Sequence, residues 1–452
     1  MGAKPVRADG CFRRGRGGFP AALVTLVLVL HAAAGSTADF ESGDAAAPAT
    51  VEAQWGGHLK LRGSVAWPRS DTLYGELDTN PWLDGNGEFR LKNKLFFGKQ
   101  AYFETHYEAL VAGGDTRRRT DALALSSAGS TVRSFVVPRQ LQDDRRLLDL
   151  TSTIAENDST LVLHRLDRLA LTLTPSWGLV RVGRQAVTWG NGLVFNPMDL
   201  FNPFAPVEID RDYKVGDDMA LVQAALGAGA SGQILYVPRR NPDSGDVGWN
   251  QSSLAAKTHF AGGPVEWDLM AAHHYGDQVG GIGSSGYLGD AAWRADGIWT
   301  FLEDGGGFAA FVANLDYSWT LLGKNWYALA EFYYNGLGVS DPREALEDQD
   351  LRLRLERGEL FTLGRFYLAG SQRVEMHPLV NVFLTAIVNL GDPSGILQPR
   401  IVWDAAQNLQ LTGGLNLFWG GPGTEYGGVV HPDSGLRLRS PESAYLWVSY
   451  FF

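Results

Sequence analysis

The side chains able to do chemistry in this chain are arranged for contact with ions and solutes, not for making bonds. Gly281-Ile-Gly-Ser-Ser-Gly286 has the lettering of a dinucleotide-binding loop, but that motif works only where a strand turns into a helix whose N-terminus receives a pyrophosphate. Its flanks here read as strands. His273-His274 has the composition of a metal pair, yet neighbours on a strand point to opposite faces and cannot share one ion. A Gly-x-Ser-x-Gly elbow is absent, and His106, His164 and the scattered acids form no spaced Ser/His/acid set. Cys11 is the only cysteine, which excludes a disulfide framework, a thiolate metal site and covalent c-type haem. The expectation is a protein that is not an enzyme, with no catalytic residue, metal or cofactor of its own.

Charged residues recur instead at period two. Lys60 and Arg62 share a face with His58 and Ser64, opposite Leu59, Leu61, Val65 and Trp67. Arg90, Lys92 and Lys94 lie together, as do Glu104, His106 and Glu108, and a turn at 98–99 would bring these two faces side by side. Pairs across such strands contribute roughly 0.2–1 kcal/mol each. The same alternation places Lys257, Glu266, Asp268, Arg294, Asp296, Asp316, Glu331, Arg365 and Arg400 on one face of later segments. Both signs are present, so the wall is of mixed charge. It reads as a pore lining or as a self-neutralising packed interior. Arg181 and Arg184 break the alternation, because an odd spacing sends one of them outward; a β-bulge at Gly183 would turn both inward.

The elements that carry these faces are segments of about ten residues at 54–67, 87–97, 100–112, 160–174, 178–188, 217–226, 230–239, 253–261, 264–276, 278–287, 291–302, 307–319, 324–335, 359–371, 377–389, 394–404, 407–419 and 443–452. Tight connections, 372–376 among them, alternate with long ones at 68–86, 113–159, 189–216, 240–252, 336–358 and 420–442, so every long connection falls on one side. This predicts an all-β, antiparallel up-and-down barrel of about 18 strands, or 16 if one hairpin is misread. A barrel of that girth leaves an aqueous channel unless something plugs it, which favours the pore reading. The chain is 45% hydrophobic and 20% charged with 55 Gly, and its net charge of −11 argues against a nucleic-acid partner.

The last ten residues, Ser443-Ala-Tyr-Leu-Trp-Val-Ser-Tyr-Phe-Phe452, resemble the closing strand of a bacterial outer-membrane β-barrel. The resemblance implies a porin-like barrel in the outer membrane of a Gram-negative cell, with Leu446, Val448, Tyr450 and Phe452 toward lipid. It also implies that Tyr450 and Phe452 form the signal read by the barrel-assembly machinery. Lys4, Arg7, Arg13, Arg14 and Arg16 before an apolar run from Phe19 to Leu30 form a secretory signal peptide by pattern. Residues 1–38 are the expected signal, cleaved after Ala34 or Ala38; 39–53 a periplasmic segment; and 54–452 the transmembrane barrel. Trp67, Trp177, Trp189, Trp267, Trp319, Trp403, Trp419 and Trp447 fall near strand ends, as in interfacial girdles.

Two loops stand out. Segment 189–216 holds two Asn-Pro units among Leu193, Phe195, Met198, Leu200, Phe201 and Phe204, an apolar content that needs cover. It reads as a constriction folded into the barrel, with Asp210, Arg211, Asp212 and Lys214 at the narrowest point, or as an outer cap on neighbouring loops. Its Asn-Pro texture is similar to segments of porin-like barrels of the alginate-export type. Loop 113–159 carries Arg117-Arg-Arg119 and then Leu141, Leu147, Leu148 and Ile154 beside Asp143 and Asp144, spaced for a short amphipathic helix. Taken together these features predict a monomeric or trimeric outer-membrane channel for passive diffusion of small polar solutes. A barrel sheath around a periplasmic or lumenal partner, such as a multihaem cytochrome in an electron conduit, is the alternative. An adhesin or receptor working through its loops is a third.

Overall fold

The computed structural model describes residues 51–124, 143–201, 203–206, 213–430 and 435–452. The expected signal peptide, most of the 39–53 segment, Leu141 and the constriction residues Asp210, Arg211 and Asp212 lie outside them.

Alternating residues with β-branched and aromatic side chains make strands, and eighteen of these close on themselves. The first are β1 (Val51–Trp67), β2 (Trp82–Phe97) and β3 (Ala101–Gly114), followed by a short β4 (Thr151–Glu156), then β5 (Thr160–Leu173), β6 (Gly178–Gln185), β7 (Asp217–Gly227) and β8 (Ala230–Val237). The wall continues through β9 (Ser253–Gly262), β10 (Val265–His274), β11 (Asp277–Leu288), β12 (Ala291–Phe301), β13 (Gly307–Leu321) and β14 (Lys324–Asn335). It ends with β15 (Phe366–His377), β16 (Val380–Asn389), β17 (Ser394–Ala406), β18 (Leu409–Trp419), a detached hairpin of β19 (Val429–Val430) and β20 (Arg437–Leu438), and β21 (Glu442–Phe451). Every neighbour pair is antiparallel. β1 pairs with β2 on one side and with β21 on the other, from His58 opposite Phe451 to Trp67 opposite Glu442, so no edge is left open.

The exterior is apolar. Leu61 is 53% exposed, Ile234 57% and Leu446 58%, whereas their strand neighbours Trp447 and Leu235 are buried. A closed sheet satisfies its own backbone, and an apolar outer face over a polar inner one is the arrangement of a transmembrane β-barrel. All long connections lie at one end, which we call the long-loop end; the other end has tight turns such as 98–100 and 322–323.

Several expectations need correction. β15 begins at Phe366, and its turn falls at 378–379, not 372–376. Residues 359–365 precede the strand because α3 (Gln349–Arg357, after α1 at Leu73–Leu77 and α2 at Asp115–Ala124) stops at Gly358 in a left-handed conformation and throws the chain inward. Arg365 is therefore no wall residue: its Nε donates to Gly338 O at 2.6 Å in the preceding loop. Of the described part of the expected amphipathic helix, 143–150 is irregular and 151–156 is β4. Trp189 and Trp447 do not belong to a girdle, being 1% and 4% exposed. Trp447 shares the inward face of β21 with Tyr445 and Ser449, and Trp189 lies in the loop after β6.

β6 pairs without a shift with β7 from Gly178 to Gln185 and with β5 from Val180 to Arg184, so there is no bulge at Gly183, although that glycine has φ +122°. β6 ends at Gln185. Beyond it the wall between β5 and β7 is completed by β4, which pairs with β5 from Arg165 to Leu161, and by 143–150. Arg184 is buried under this patch. It donates to Asp218 at 2.9 and 3.0 Å, to Asp143 at 2.9 Å and to Leu148 O at 2.6 Å. Burial raises the Asp143 carboxyl, but Arg184 and Arg146 outweigh it and hold the group below its ordinary range. The bulge sits on the neighbouring strand: His106 faces Arg168 and Tyr107 faces Leu166, so Asp167 is the extra residue of β5. Arg165 and Arg168, spaced like Arg181 and Arg184, are thereby both buried against acids.

Candidate functional site

The chemistry of the molecule gathers inside the barrel, on two unlike walls. On β1 to β6 the register sets Arg90 opposite Glu108, Lys92 opposite His106 and Lys94 opposite Glu104, because the turn after Phe97 is short. Arg90 binds Glu108 closely and donates to Asp167 at 2.5 Å. Arg165 donates to Glu108 and Arg168 to Asp167, each at 2.5 Å. Lys94 stands 3.5 Å from Glu104, His106 stands 3.2 Å from it, and Arg181 pairs with it closely. Breaking such a buried pair leaves a bare charge and costs about 3–5 kcal/mol.

Aromatic rings cushion the remaining cations. Lys60 lies 5.1 Å over the Trp447 ring, and Arg62 lies 5.3 Å over Trp447 and 5.4 Å over Tyr445. Tyr213, at the end of the loop from β6, accepts from Lys92 at 2.5 Å while Arg90 sits 4.5 Å over its ring and His58 stacks against it. His58 in turn meets Glu88 at 2.9 Å. A cavity of about 260 Å³ opens on this wall, lined by Lys60, Arg62, Glu88, Arg90, Tyr213 and Trp447 among others. Among the described residues of this wall, Lys60, Arg62, Arg90, Lys92, Lys94, Arg165, Arg168 and Arg181 outnumber Asp84, Glu88, Glu104, Glu108 and Asp167.

The opposite wall offers the carboxylates of Asp296 and Glu331, and the chain's own loop occupies it. After β6 the chain turns inward: Trp189, Phe195, Met198 and Phe201 pack on the inner faces of β7 to β17 through Leu221, Leu235, Met270, Ile298, Tyr333 and Ile387. The apolar residues of the Asn-Pro segment thus find their cover within the barrel, and the outer-cap alternative does not describe 189–201. Polar stitches fix them. Glu331 accepts from the backbone N–H groups of Leu193, Val194 and Phe195 at 2.7, 3.0 and 2.6 Å, and Asp296 accepts from Asn191 N at 2.5 Å. Asn314 donates to Asn191 O at 3.2 Å.

The glycines of the dinucleotide-like string serve this seat. A Cβ on Gly283 would stand 2.5 Å from Asp296 Oδ1 and 3.3 Å from Met198 Sδ, and one on Gly281 would stand 3.0 Å from Met270 Cε. At the base of the loop Lys214 binds Asp199 closely and reaches Val187 O at 3.4 Å. Burial pushes the Asp199 carboxyl up to about 6 and the Lys214 ammonium down, against their attraction for each other.

The remaining predicted wall residues are dispersed. Lys257 meets Asp268 at 3.2 Å, Arg294 pairs closely with Asp316, Glu266 is exposed, and Arg400 lies 4.5 Å over Phe383. His273 stacks on Trp249 while His274 is buried beside Ser253, as opposite faces require. Tyr450 and Phe452 lie on the exterior at the tight-turn end; Phe452 stacks on Phe89, and its backbone exchanges hydrogen bonds with Gly57. The arginines of β5 and the rings of Tyr213, Tyr445 and Trp447 were not among the predicted site residues. Arg165 to Arg168 carried the signal, an odd spacing of charges that only a bulge reconciles.

No family model matches this sequence, and no curated protein matches it. Solved structures similar to it include a BenF-like porin from Pseudomonas fluorescens Pf-5, at 11% identity over 89% of this chain and 98% of that one, with a TM-score of 0.49. OccK8 (OprE) of Pseudomonas aeruginosa is similar at 10% identity over 89% and 98%, also with a TM-score of 0.49. OccAB1 of Acinetobacter baumannii is similar at 6% identity over 88% and 96%, again with 0.49. At such identities none of them transfers a solute or a site to this chain.

Proposed function

We propose that this protein is an outer-membrane channel through which small polar solutes diffuse, with the inward loop as its constriction. The observation that carries the reading is the division of the lumen. One wall is covered by segment 189–201, whose backbone N–H groups bond Asp296 and Glu331, and the facing wall keeps a cushioned row of cations beside a cavity. Barrels of this strand number enclose water unless plugged, and here the plug covers one side. The apolar exterior and the signal-like N-terminus support an outer-membrane location. The long-loop end then faces outward, and the exposed Phe452 stands at the periplasmic rim where the assembly machinery would read it. A sheath for a multihaem partner is disfavoured, because the chain's own segment takes up lumen that the partner would need. The alginate-like texture of the Asn-Pro segment supports no particular solute.

The test is conductance of the refolded protein in a planar bilayer. Discrete open-channel steps are expected, with anions favoured over cations because cations exceed carboxylates on the open wall. The preference should fade between 0.1 and 1 M salt, where the Debye length falls from about 10 Å to about 3 Å. A well-folded barrel that stays silent would overturn the channel.

A further inference from the structure

Four arginines meet at the long-loop end, where the chain leaving β8 runs beside the segment that precedes β4. Arg146 lies opposite Arg239 in an antiparallel bridge, and the Arg240 N–H donates to Arg145 O at 2.9 Å, so Arg145 and Arg240 are opposed in turn. Like charges set opposite one another on paired strands destabilise the pairing. The first pair is answered: Arg146 donates to Asp143 at 2.6 Å and Arg239 to Asp217 at 2.8 Å, and both arginines are buried. The second pair is not. Among the described residues no carboxylate pairs with Arg145 or Arg240; Arg240 donates to Leu147 O at 2.6 Å, and the Arg145 guanidinium has no partner. The sequence from 125 to 142, just before them, contains no Asp or Glu.

The two pairs differ in what they face. Arg239 continues the inward row of Leu235 and Val237, and it bonds Ser253 beside His274, which meets Phe201 of the inward segment edge-on at 5.8 Å. Successive residues of a strand alternate, so Arg240 points outward. Val247 is bridged to Arg240 on the same face and is 48% exposed. The exterior around them carries Tyr236, two positions on from the exposed Ile234, and Trp249, which stacks at 4.3 Å on His273 of β10. Exposed aromatic rings of this kind mark the boundary between hydrocarbon and headgroups, and Arg240 lies beyond Tyr236 on the long-loop side of it.

A lipid phosphate belongs at that height. Its oxygens accept from two guanidinium forks at once and its charge offsets theirs, as arginine and phosphate geometry allow. The apolar exterior beside the pair favours a phosphate that carries acyl chains over a free one.

We propose that Arg145 and Arg240 bind the phosphate headgroup of a lipid in the leaflet at the long-loop end, its chains lying on the outer face of β8. The site requires a barrel that spans the membrane and is independent of conduction through it. Native mass spectrometry of the refolded chain, in an amine-oxide detergent with dodecyl phosphate added, reads the complex directly. The native chain is expected to retain one dodecyl phosphate. Half-retention should need about tenfold more ligand in Arg240→Gln and in Arg145→Gln, the latter losing a charge without losing a bond inside the protein. Arg343→Gln, at a loop arginine already paired with Asp341 at 2.5 Å, should bind as the native chain does. Circular dichroism establishes that the variants fold. The proposal is overturned if the native chain retains no dodecyl phosphate, if either folded variant of the pair binds as well as native, or if dodecyl maltoside is retained equally. Displacement by an equal concentration of inorganic phosphate would overturn the lipid as the occupant.

Discussion

Arg184 and Arg181 are three residues apart on a strand of eight, and strict alternation would send one of them into lipid at a cost of about 2–4 kcal/mol near the midplane. The molecule avoids this by ending the strand at Gln185 and drawing a distant loop over the exposed arginine. Arg184 thereby becomes the pin between Asp218 and Asp143. Arg184→Ala should loosen 143–150 by about 3–5 kcal/mol, since it strands two carboxylates. Limited proteolysis should then nick this segment quickly while the barrel survives; equal resistance in the variant would refute the pin. A second residue ties the loop after β18. Glu425 accepts from Leu363 N at 2.9 Å, Tyr367 Oη at 2.5 Å and Asn389 Nδ2 at 2.8 Å, and burial pushes its carboxyl up to about 7 from an ordinary 4.5. The folded loop therefore holds a proton that the released loop gives up between these values. Its contribution is full below about 4.5 and is lost as pH rises through about 7. Spin-label mobility in 420–428 should increase from pH 5 to pH 8, and Glu425→Gln should flatten that response.

The inward loop is held by shape as well as by bonds. Gly281 and Gly283 give it a floor without side chains, and Glu331 closes over three consecutive N–H groups. Hydrogen bonds to a charged group contribute about 1.5–3 kcal/mol each, so Glu331→Ala should release residues 191–195 from the wall. Gly283→Leu should displace the same segment by filling its seat. Both variants are expected to show higher single-channel conductance than the native chain, with Gly283→Leu the larger effect because filling the seat leaves the loop no position to return to. Unchanged conductance in both would show that the segment does not limit the pore.

Across the whole molecule, closure depends on the meeting of β1 with β21. Phe452 contributes a ring against Phe89 and two backbone bonds to Gly57. Phe452→Asp should lower the yield of assembled barrel in cells while leaving the conductance of whatever assembles unchanged. A variant that assembles normally would remove the terminal residue from the recognition signal.

The sequence by itself determined the class of fold, the even strand number and the side on which long loops gather, because period-two alternation and turn length are local properties. It also placed Arg90, Lys92 and Lys94 beside the face of Glu104, His106 and Glu108, while the residue-by-residue pairing followed from the turn at 98–100, one residue longer than expected. What it left undecided was non-local. The strand start at 359 failed because a helix end redirected the chain; the girdle place of Trp447 failed for a local reason, since with Leu446 and Val448 toward lipid its parity faces the lumen. The Gly183 bulge failed because Arg184 found its partners 34 and 41 residues away. Whether 189–201 lay over the barrel or inside it was decided only by the closed wall itself, which brings eleven strands together into an apolar surface that covers Trp189, Phe195, Met198 and Phe201.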